Sequence, residues 1–209
     1  MLFRSLGKTF DAMADAAGLS DLGLLRGQLV ARTAHPLESP EFGKLLQDEI
    51  APALFAALRR SRKWRFERKG FALIGDGLAD SYGAMQWHQA RAVRHAIPAN
   101  FHQWRKQVKY HGNQLTLLKP AAPHMIAASL KAAARLAEAL GDHHDLDALR
   151  SALFDVRSHP DEQAALLAAI GSRKASLEAA AFRLGNEIGA ERPRDLLRRI
   201  RGYWRDWRG

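Results

Sequence analysis

A helical spacing of apolar residues runs through most of the 209-residue chain and limits the folds open to it. Apolar residues recur at three- and four-residue steps, and no segment alternates apolar and polar residues as a half-buried strand does. Helix-favouring Ala, Leu, Arg, Glu and Lys are abundant, whereas clusters of Val, Ile and Thr are missing. We therefore predict an all-α helical bundle of roughly seven or eight helices. The clearest stripe, which predicts a packed amphipathic helix, consists of Phe42, Leu45, Leu46, Ile50, Leu54 and Leu58.

Proline and glycine indicate where these helices begin and end. The tripeptide Ser39-Pro40-Glu41 is typical of a helix start, with an N-cap, a proline at the first helical position and an acid in the first turn. Pro98 is expected to open a further helix that Pro120 closes. Because no low-complexity linker divides the chain, we predict a single domain over residues 1–209. Further expected boundaries are a stop at Gly141, a cap at Asp161, an end near Gly189 and a start at Pro193.

The charge balance favours an anionic partner. Lys and Arg number 32 against 22 Asp and Glu, which gives a formal net charge of +10. Nucleic acid, a phosphate polymer and an anionic membrane surface all fit that charge. The absence of cysteine excludes disulfides, thiolate nucleophiles and Cys-ligated zinc. No apolar run approaches the roughly 18 residues of a membrane span, and charges interrupt the N-terminal segment, so we expect a cytoplasmic protein without a secretory signal.

Two basic clusters are candidate polyanion sites, although each is equally typical of a solvated surface. The first runs from residue 59 to 69 and contains a single acid, Glu67. The second lies in the C-terminal segment, where arginines alternate with Tyr203, Trp204 and Trp207. Aromatic residues among arginines could also stack nucleic-acid bases. The candidate binding residues of these two clusters are Arg59, Arg60, Arg62, Lys63, Arg198, Arg199 and Arg201.

A third basic cluster lies in the helix expected after Pro98. At about 100° per residue, four basic residues fall within about 60° of one direction, whereas the apolar residues gather on another side. Counting back along the chain brings Arg91 and His95 near the same direction. Arginine supplies a planar fork, lysine a point charge and histidine a titratable donor, which together suit a run of phosphate oxygens. An exposed basic face with a satisfied histidine is the alternative. The basic residues are His102, Arg105, Lys106 and Lys109, and the apolar set is Phe101, Trp104, Val108 and Leu115.

A short run of His and Asp residues carries a further local signal. His143, His144 and Asp145 could ligate a divalent metal, as in His–Asp phosphohydrolases. The structural alternative, which we favour, is that Gly141 ends one helix and Asp142 caps the next, so that Asp145 lies in its first turn. The chain also lacks a Walker loop, a G-x-S-x-G motif and a G-x-G-x-x-G motif. We therefore expect no catalysis, no bound metal and no cofactor.

Two of these segments together resemble the CHAD domain, a histidine-containing α-helical domain of bacteria and archaea. Residues 101–118 match its helix of the pattern His-x-x-Arg-Lys-x-x-Lys-Tyr, and residues 136–153 match its helix that ends in Leu-Gly before an Asp-rich turn. The resemblance implies two similar helical bundles around a basic central channel. It also implies binding of inorganic polyphosphate without catalysis. The matching positions are His102, Arg105, Lys106, Lys109, Tyr110, Leu140, Gly141, Asp142 and Asp145.

The first half of the chain departs from that family pattern. The family carries an earlier helix of the pattern His-x-x-Arg-x-x-x-Arg-Arg, which does not occur before residue 58. The segment from Leu19 to Leu29 resembles the turn after that helix, so we expect the first bundle to be shortened by one or two helices. Gly83, Ala84 and Gln86 stand where the family often has arginines. These departures predict weaker binding, or a homodimer that completes the channel.

Non-catalytic binding of inorganic polyphosphate by these basic residues is the predicted function, in the cytoplasm and in association with polyphosphate granules. Affinity is expected to come largely from charge neutralisation and counterion release. A nucleic-acid-binding helical protein is the first alternative, because the same charges suit DNA or RNA. A metal-dependent phosphohydrolase centred on His143, His144 and Asp145 is the second.

Overall fold

The computed structural model describes residues 2–20, 22–32, 40–156 and 159–209, and the described residues contain helices and no strand. The predicted all-α class is confirmed. The starts expected at Pro40, Pro98 and Pro193 are also confirmed, whereas Ser39, the predicted cap, lies outside the described residues. The helices are α1 (Leu2–Ala16), α2 (Gly23–Arg32), α3 (Pro40–Leu45), α4 (Ala51–Ser61), α5 (Phe71–Arg94), α6 (Pro98–Leu118), α7 (Pro123–Phe154), α8 (Pro160–Ile188) and α9 (Pro193–Arg208), with a π-helical segment at Leu46–Ile50 and a 3-10 turn at Lys119–Ala121.

Two apolar clusters form the core, and the long helices α7 and α8 contribute to both of them. The first cluster brings α5, α6 and α9 onto one end of the α7–α8 pair. Its fully buried side chains include Tyr82, Trp104 and Leu136. The second cluster packs α1 and α2 onto the other end, around Phe10, Leu29 and other apolar residues. The bundle is therefore built along two shared helices, and none of the described helices is long and apolar enough to cross a membrane.

The helix that contains Gly141 is continuous, so the predicted helix stop is wrong. Helix α7 runs from Pro123 to Phe154, and Asp142 therefore caps no helix. The buried stripe of α7 continues at helical spacing on both sides of the glycine. Packing along that stripe offsets the roughly 1 kcal/mol that a glycine costs inside a helix. The buried residues of the stripe are Ile126, Ala133, Leu136, Leu140, His143, Leu146, Leu149 and Leu153.

The cap predicted at Asp161 is displaced by two residues. The N-cap of α8 is His159, Pro160 opens the helix, and Asp161 lies in the first turn. Proline is favoured at that first position because its missing N–H is unpaired there in any case. Asp161 retains the favourable place of a carboxylate at the positive end of the helix dipole. Gly189 follows the end of α8, as predicted.

Residues 40–61, which we call the outer helix, do not pack as the sequence predicts. The outer helix comprises α3, the π-helical segment and α4, and none of its residues is buried. The amphipathic stripe is present, but no described element covers it. The π-helical segment ends two residues before Pro52, which has no N–H and whose ring would clash with the carbonyl of Asp48 in a regular α-helix.

Candidate polyanion-binding site

Four residues of α6, which we call the basic stripe, lie on the side of the helix away from its core face. The core face is buried as predicted, at Phe101, Trp104, Val108 and Leu115. Three members of the stripe are half-buried and the fourth, Lys109, is exposed. Among the described residues no carboxylate lies within ion-pair distance of the three cations of the stripe. The basic stripe consists of His102, Arg105, Lys106 and Lys109.

The side chain of Arg105 lies against the backbone of α7 at Gly141. A Cβ atom placed on Gly141 would lie 3.4 Å from Arg105 Nε and 3.5 Å from its Nη2. Arg105 Nε is buried and has no hydrogen-bond partner among the described residues. The guanidinium group of Arg105 thus packs on the backbone of α7 at Gly141, inside a continuous helix.

His102 lies beside a second histidine, His144 of α7. Their ring centroids are 5.3 Å apart, and His102 Nδ1 has no hydrogen-bond partner among the described residues. The pKa of His102 is lowered by burial, and further by the charges of His144, Lys106 and Arg105. A nearby anion would reverse the electrostatic part of that shift. His102 is therefore a titratable donor within a positive region, with the ring of His144 beside it.

Helix α5 adds His88 and Arg91 to the same region. The pKa of His88 is lowered by burial first, and then by the charges of Arg91 and Lys106. Arg91 also lies over the ring of Trp87, 4.8 Å from its centroid. A cavity of about 320 Å³ is lined by Trp87, Arg91, Arg94 and His95. We call the basic stripe together with His88, Arg91 and His144 the basic face.

Sequence reasoning missed two members of the basic face. His88 lies on a helix whose packing against α6 no sequence spacing reveals. His144 was considered only as a metal ligand, although its position three residues after Gly141 places it near Arg105 and His102 once α7 is continuous. The count back to Arg91 and His95 assumed one continuous helix and is wrong, because α5 ends at Arg94 and α6 begins at Pro98. Arg91 of α5 nevertheless lies near the stripe, since burial and then the charges of Arg91 and Lys106 lower the pKa of His88.

His143 and the nearby Asp147 pair with residues outside the basic face. His143 is buried, and its Nε2 lies 2.9 Å from Glu178 Oε1, while Asp147 accepts a hydrogen bond from Lys174. The pKa of Asp142 is raised by burial, although the charge of Arg173 opposes that effect. Within the described part of the chain, no group of three or more His, Cys, Asp and Glu residues could hold a metal ion.

The cluster on α4 and the residues after it lies apart from the basic stripe. A cavity of about 460 Å³ is lined by Ala56, Arg59, Arg60, Arg62 and Lys63, all within one stretch of chain. In the described ranges no hydrogen bond, ion pair or ring contact joins this cluster to α6. Its part in anion binding stays a prediction.

The arginines predicted on α9 are engaged within the chain. Arg199 donates to both carboxylate oxygens of Glu191 at 2.9 Å, and this pairing raises the pKa of its guanidinium group. Arg198 lies 3.3 Å from Asp195, and Arg201 lies over the ring of Phe71 at 5.6 Å. These contacts reduce the charge that α9 can offer to a ligand.

The aromatic residues at the C-terminal end of α9 also contact one another. The rings of Trp204 and Trp207 meet edge to face at 5.3 Å, and the guanidinium of Arg208 lies over both. Trp204 additionally contacts the ring of Phe71 at 6.0 Å. Base stacking on this tail would therefore compete with contacts that already exist.

The fold and the site define an all-α bundle in which basic residues of three helices meet without carboxylate partners among the described residues. The family model of the CHAD domain matches residues 5–153, well over half of the chain. The chain belongs to the CHAD domain family, as the resemblance of its two motifs predicted. No curated protein and no solved structure matches the chain. Both α6 and most of α7, which carry the basic stripe and Gly141, lie inside the matched range.

Proposed function

We propose that this protein binds inorganic polyphosphate at the basic face, with Arg105 and Lys106 as the central contacts. The observation that carries the proposal is that Arg105 and Lys106 are half-buried and yet have no carboxylate partner among the described residues, whereas the unpaired cations of the cluster on α4 are exposed. Arg26, Lys174 and Arg199 each pair with a carboxylate, whereas the cations of the basic stripe have none within the described ranges. Membership of the CHAD family, which has a polyphosphate-binding context, supports the same ligand.

The geometry of the stripe suits a linear polymer of phosphate groups. From His102 to Lys109 the helix rises by about 10 Å, at roughly 1.5 Å per residue, so the donors are spread along a line rather than gathered at a point. Arg105 offers a planar fork that bridges two oxygens, and the lysines act as point charges. A flexible polyanion can follow this line without base recognition.

We further propose that the protein binds its ligand without hydrolysing it. The pairing of His143 with Glu178 supports this, because it leaves His143 engaged in the core instead of offered to a metal. Binding by fixed cations needs no divalent metal, since arginine and lysine neutralise phosphate directly.

Binding of labelled polyphosphate, duplex DNA and single-stranded RNA at matched salt tests the proposal. The double variant Arg105→Ala/Lys109→Ala should lose polyphosphate affinity. A charge-assisted hydrogen bond from the half-buried Arg105 is worth about 1.5–3 kcal/mol, or roughly ten- to hundredfold in affinity. The exposed Lys109 adds less than about 1 kcal/mol. The fold should survive, because both residues lie off the buried face of α6.

The control variant Arg205→Ala/Arg208→Ala removes the same number of positive charges from exposed positions on α9. It should bind polyphosphate nearly as well as the parent protein. Equal losses from the two double variants would contradict a defined site and indicate a diffuse basic surface. Tighter binding of DNA or RNA than of polyphosphate would favour the nucleic-acid alternative.

A further inference from the structure

A cavity of about 420 Å³ lies where the five helices of the first apolar cluster meet. Its lining comes from α5, α6, α7, the end of α8 and α9, together with the connection between the last two helices. Small-molecule sites in proteins occupy roughly 300–1,000 Å³, so the cavity is large enough for one. None of the described residues that line it belongs to the basic face, so its role is independent of polyphosphate binding.

Most of the cavity wall is apolar. On α7 it is formed by the small side chains of Ala128, Ser129 and Ala132, which recur on one side of the helix. Larger apolar side chains of the first core cluster close the other walls. An apolar wall with a few polar groups is typical of sites that hold small organic molecules. The larger apolar side chains are Leu115, Ile126, Leu196 and Ile200.

The polar groups at the end of α8 and in the connection to α9 are held within the chain. Tyr82 Oη donates to the carbonyl of Ile188 at 2.7 Å, and Gln86 Nε2 donates to the carbonyl of Glu191 at 2.8 Å. The carboxylate of Glu191 in turn accepts both hydrogen bonds from Arg199. This part of the wall is therefore formed before any ligand binds, which reduces the entropic cost of binding.

His111 of α6 lines the same cavity without a comparable partner. It is only 2% exposed, and its ring centroid lies 5.1 Å from that of Tyr82. The imidazole forms no hydrogen bond with another described residue, and its Nδ1 is buried. Buried polar groups in proteins are nearly always hydrogen-bonded, because leaving one unpaired costs stability. His111 is thus the polar group of the lining that has hydrogen-bonding capacity to offer a ligand.

The protonation of His111 defines the group that would pair with it. Burial lowers the pKa of His111 to about 4, so the ring is neutral at neutral pH. A neutral imidazole has one nitrogen that donates and one that accepts. A hydroxyl group both donates and accepts, so it pairs with His111 in either tautomer.

The charges around the cavity favour an uncharged ligand. Arg199 and Glu191 neutralise each other, so the described lining offers no unpaired cation to an anionic ligand. The other acid of the lining, Glu187, is exposed to solvent, where attraction to a cation is weak. Burying a charge against an apolar wall without a partner is costly.

We propose that this cavity binds a small uncharged molecule that has an apolar body and a hydroxyl group paired with His111. The body packs against the apolar wall, and the hydroxyl satisfies the imidazole. A site that hydrogen-bonds a hydroxyl discriminates against the analogue without it, because the buried partner is then left unpaired.

Equilibrium dialysis of the full chain against two probes, at neutral pH and without polyphosphate, tests the role of His111. The probes are 2-naphthol and 2-methylnaphthalene, which have nearly the same shape and differ in a hydroxyl in place of a methyl group. The variant His111→Phe keeps a buried ring but offers the hydroxyl no partner. The ratio of the affinity for 2-naphthol to that for 2-methylnaphthalene should fall roughly five- to hundredfold in this variant. Retained binding of 2-methylnaphthalene shows that the variant keeps the cavity.

Two alanines of α7 provide a matched test of the location. Ala132 lines the cavity, whereas Ala134 is exposed and does not line it. The variant Ala132→Phe fills the space and should lose the binding of both probes. The variant Ala134→Phe adds the same side chain outside the cavity and should bind both probes like the parent. Circular dichroism of each variant confirms that the bundle is retained.

Three results would overturn the proposal. The first is a parent protein that binds neither probe up to its solubility limit. The second is an affinity ratio that is the same in the parent and in His111→Phe, which would show that the hydroxyl does not pair with His111. The third is equal binding by the Ala132→Phe and Ala134→Phe variants, which would place the probes outside the cavity. Polyphosphate binding should be unchanged in His111→Phe, so the two proposals fail or hold separately.

Discussion

Two glycines inside long helices should respond in opposite ways to the same substitution by alanine. Gly141 lies within α7 and Gly185 within α8, so each replacement gains the helix propensity of alanine, about 1 kcal/mol. At Gly141 the new Cβ would meet Arg105 Nε at 3.4 Å, an ordinary van der Waals distance to a flexible side chain. We expect Gly141→Ala to stabilise the protein by about 0.5–1 kcal/mol.

At Gly185 the same atom has no room. Its Cβ would lie 2.5 Å from Trp104 Cζ2 and 2.8 Å from Gln89 Cδ. Trp104 is fully buried, and Gln89 is hydrogen-bonded to Asn186, so neither can move away without repacking. Overpacking of this kind costs about 1–3 kcal/mol, and an impaired buried hydrogen bond adds about 1 kcal/mol. After the gain in propensity, Gly185→Ala should destabilise the protein by about 1–3 kcal/mol.

Urea unfolding at neutral pH measures both changes against the parent protein. Thermal midpoints should move in opposite directions, by roughly 2–4 °C for each kcal/mol in a chain of this size. A Gly185→Ala variant as stable as the parent would show that α8 does not approach Trp104 as closely as described. A strongly destabilised Gly141→Ala variant would show that the side chain of Arg105 is held rigidly and cannot shift to make room for the added methyl group.

Three further outcomes are expected. Polyphosphate affinity should fall steeply between roughly 50 and 500 mM salt, and an affinity that does not change over that range would contradict binding by charge. Burial lowers the pKa of His111 to about 4 from its usual 6.5, so the unfolded chain binds the proton more readily. The free energy of unfolding should therefore fall as the pH drops below 6.5, by about 2 kcal/mol at pH 5. The variant His111→Phe should remove most of this loss. An unchanged acid sensitivity in that variant would show that another group than His111 causes the loss. Finally, no phosphate release from polyphosphate is expected at any protein concentration, whereas release that disappears in Asp145→Ala would favour the phosphohydrolase.

The parts of the fold that depend on local chemistry could be predicted from the sequence. Pro98 and Pro193 open helices because proline fits the first helical position and not the interior. The spacing of Phe101, Trp104 and Val108 identified the core face of α6, since burial of one face imposes that period. The same spacing placed the basic stripe on the other side of the helix.

Gly141 shows where local rules fail. A glycine after two leucines is typical of a helix end, and the sequence offers Asp142 as a cap for the next helix. In the structure Gly141 lies instead inside a continuous helix, in contact with Arg105, which is 36 positions away in the chain. Such a contact leaves no local signature, so only the packing of α6 on α7 distinguishes the two interpretations.

The packing predicted for the outer helix is wrong for a different reason. Its stripe correctly predicts an amphipathic helix, but periodicity states only that one face is apolar and not which surface covers it. Leu54 and Leu58 therefore look in the sequence like Leu136 and Leu140 of the core. In the structure the first pair is exposed and the second is buried.

The basic clusters of α6 and α9 could not be ranked from the sequence because charge alone does not reveal pairing. Arg199 and Arg105 are equivalent in composition, yet Arg199 is neutralised by a bidentate pair with Glu191 and Arg105 lies on a glycine with no carboxylate near it among the described residues. The pKa of His102 is lowered first by burial and then by the charges of His144, Lys106 and Arg105, and this electrostatic part reflects the same unbalanced positive charge. Repulsion between these charges destabilises the protein without a ligand, and an anion that neutralises them relieves that repulsion on binding. Under the proposed function, the residues that weaken the free protein are therefore those that give polyphosphate its affinity.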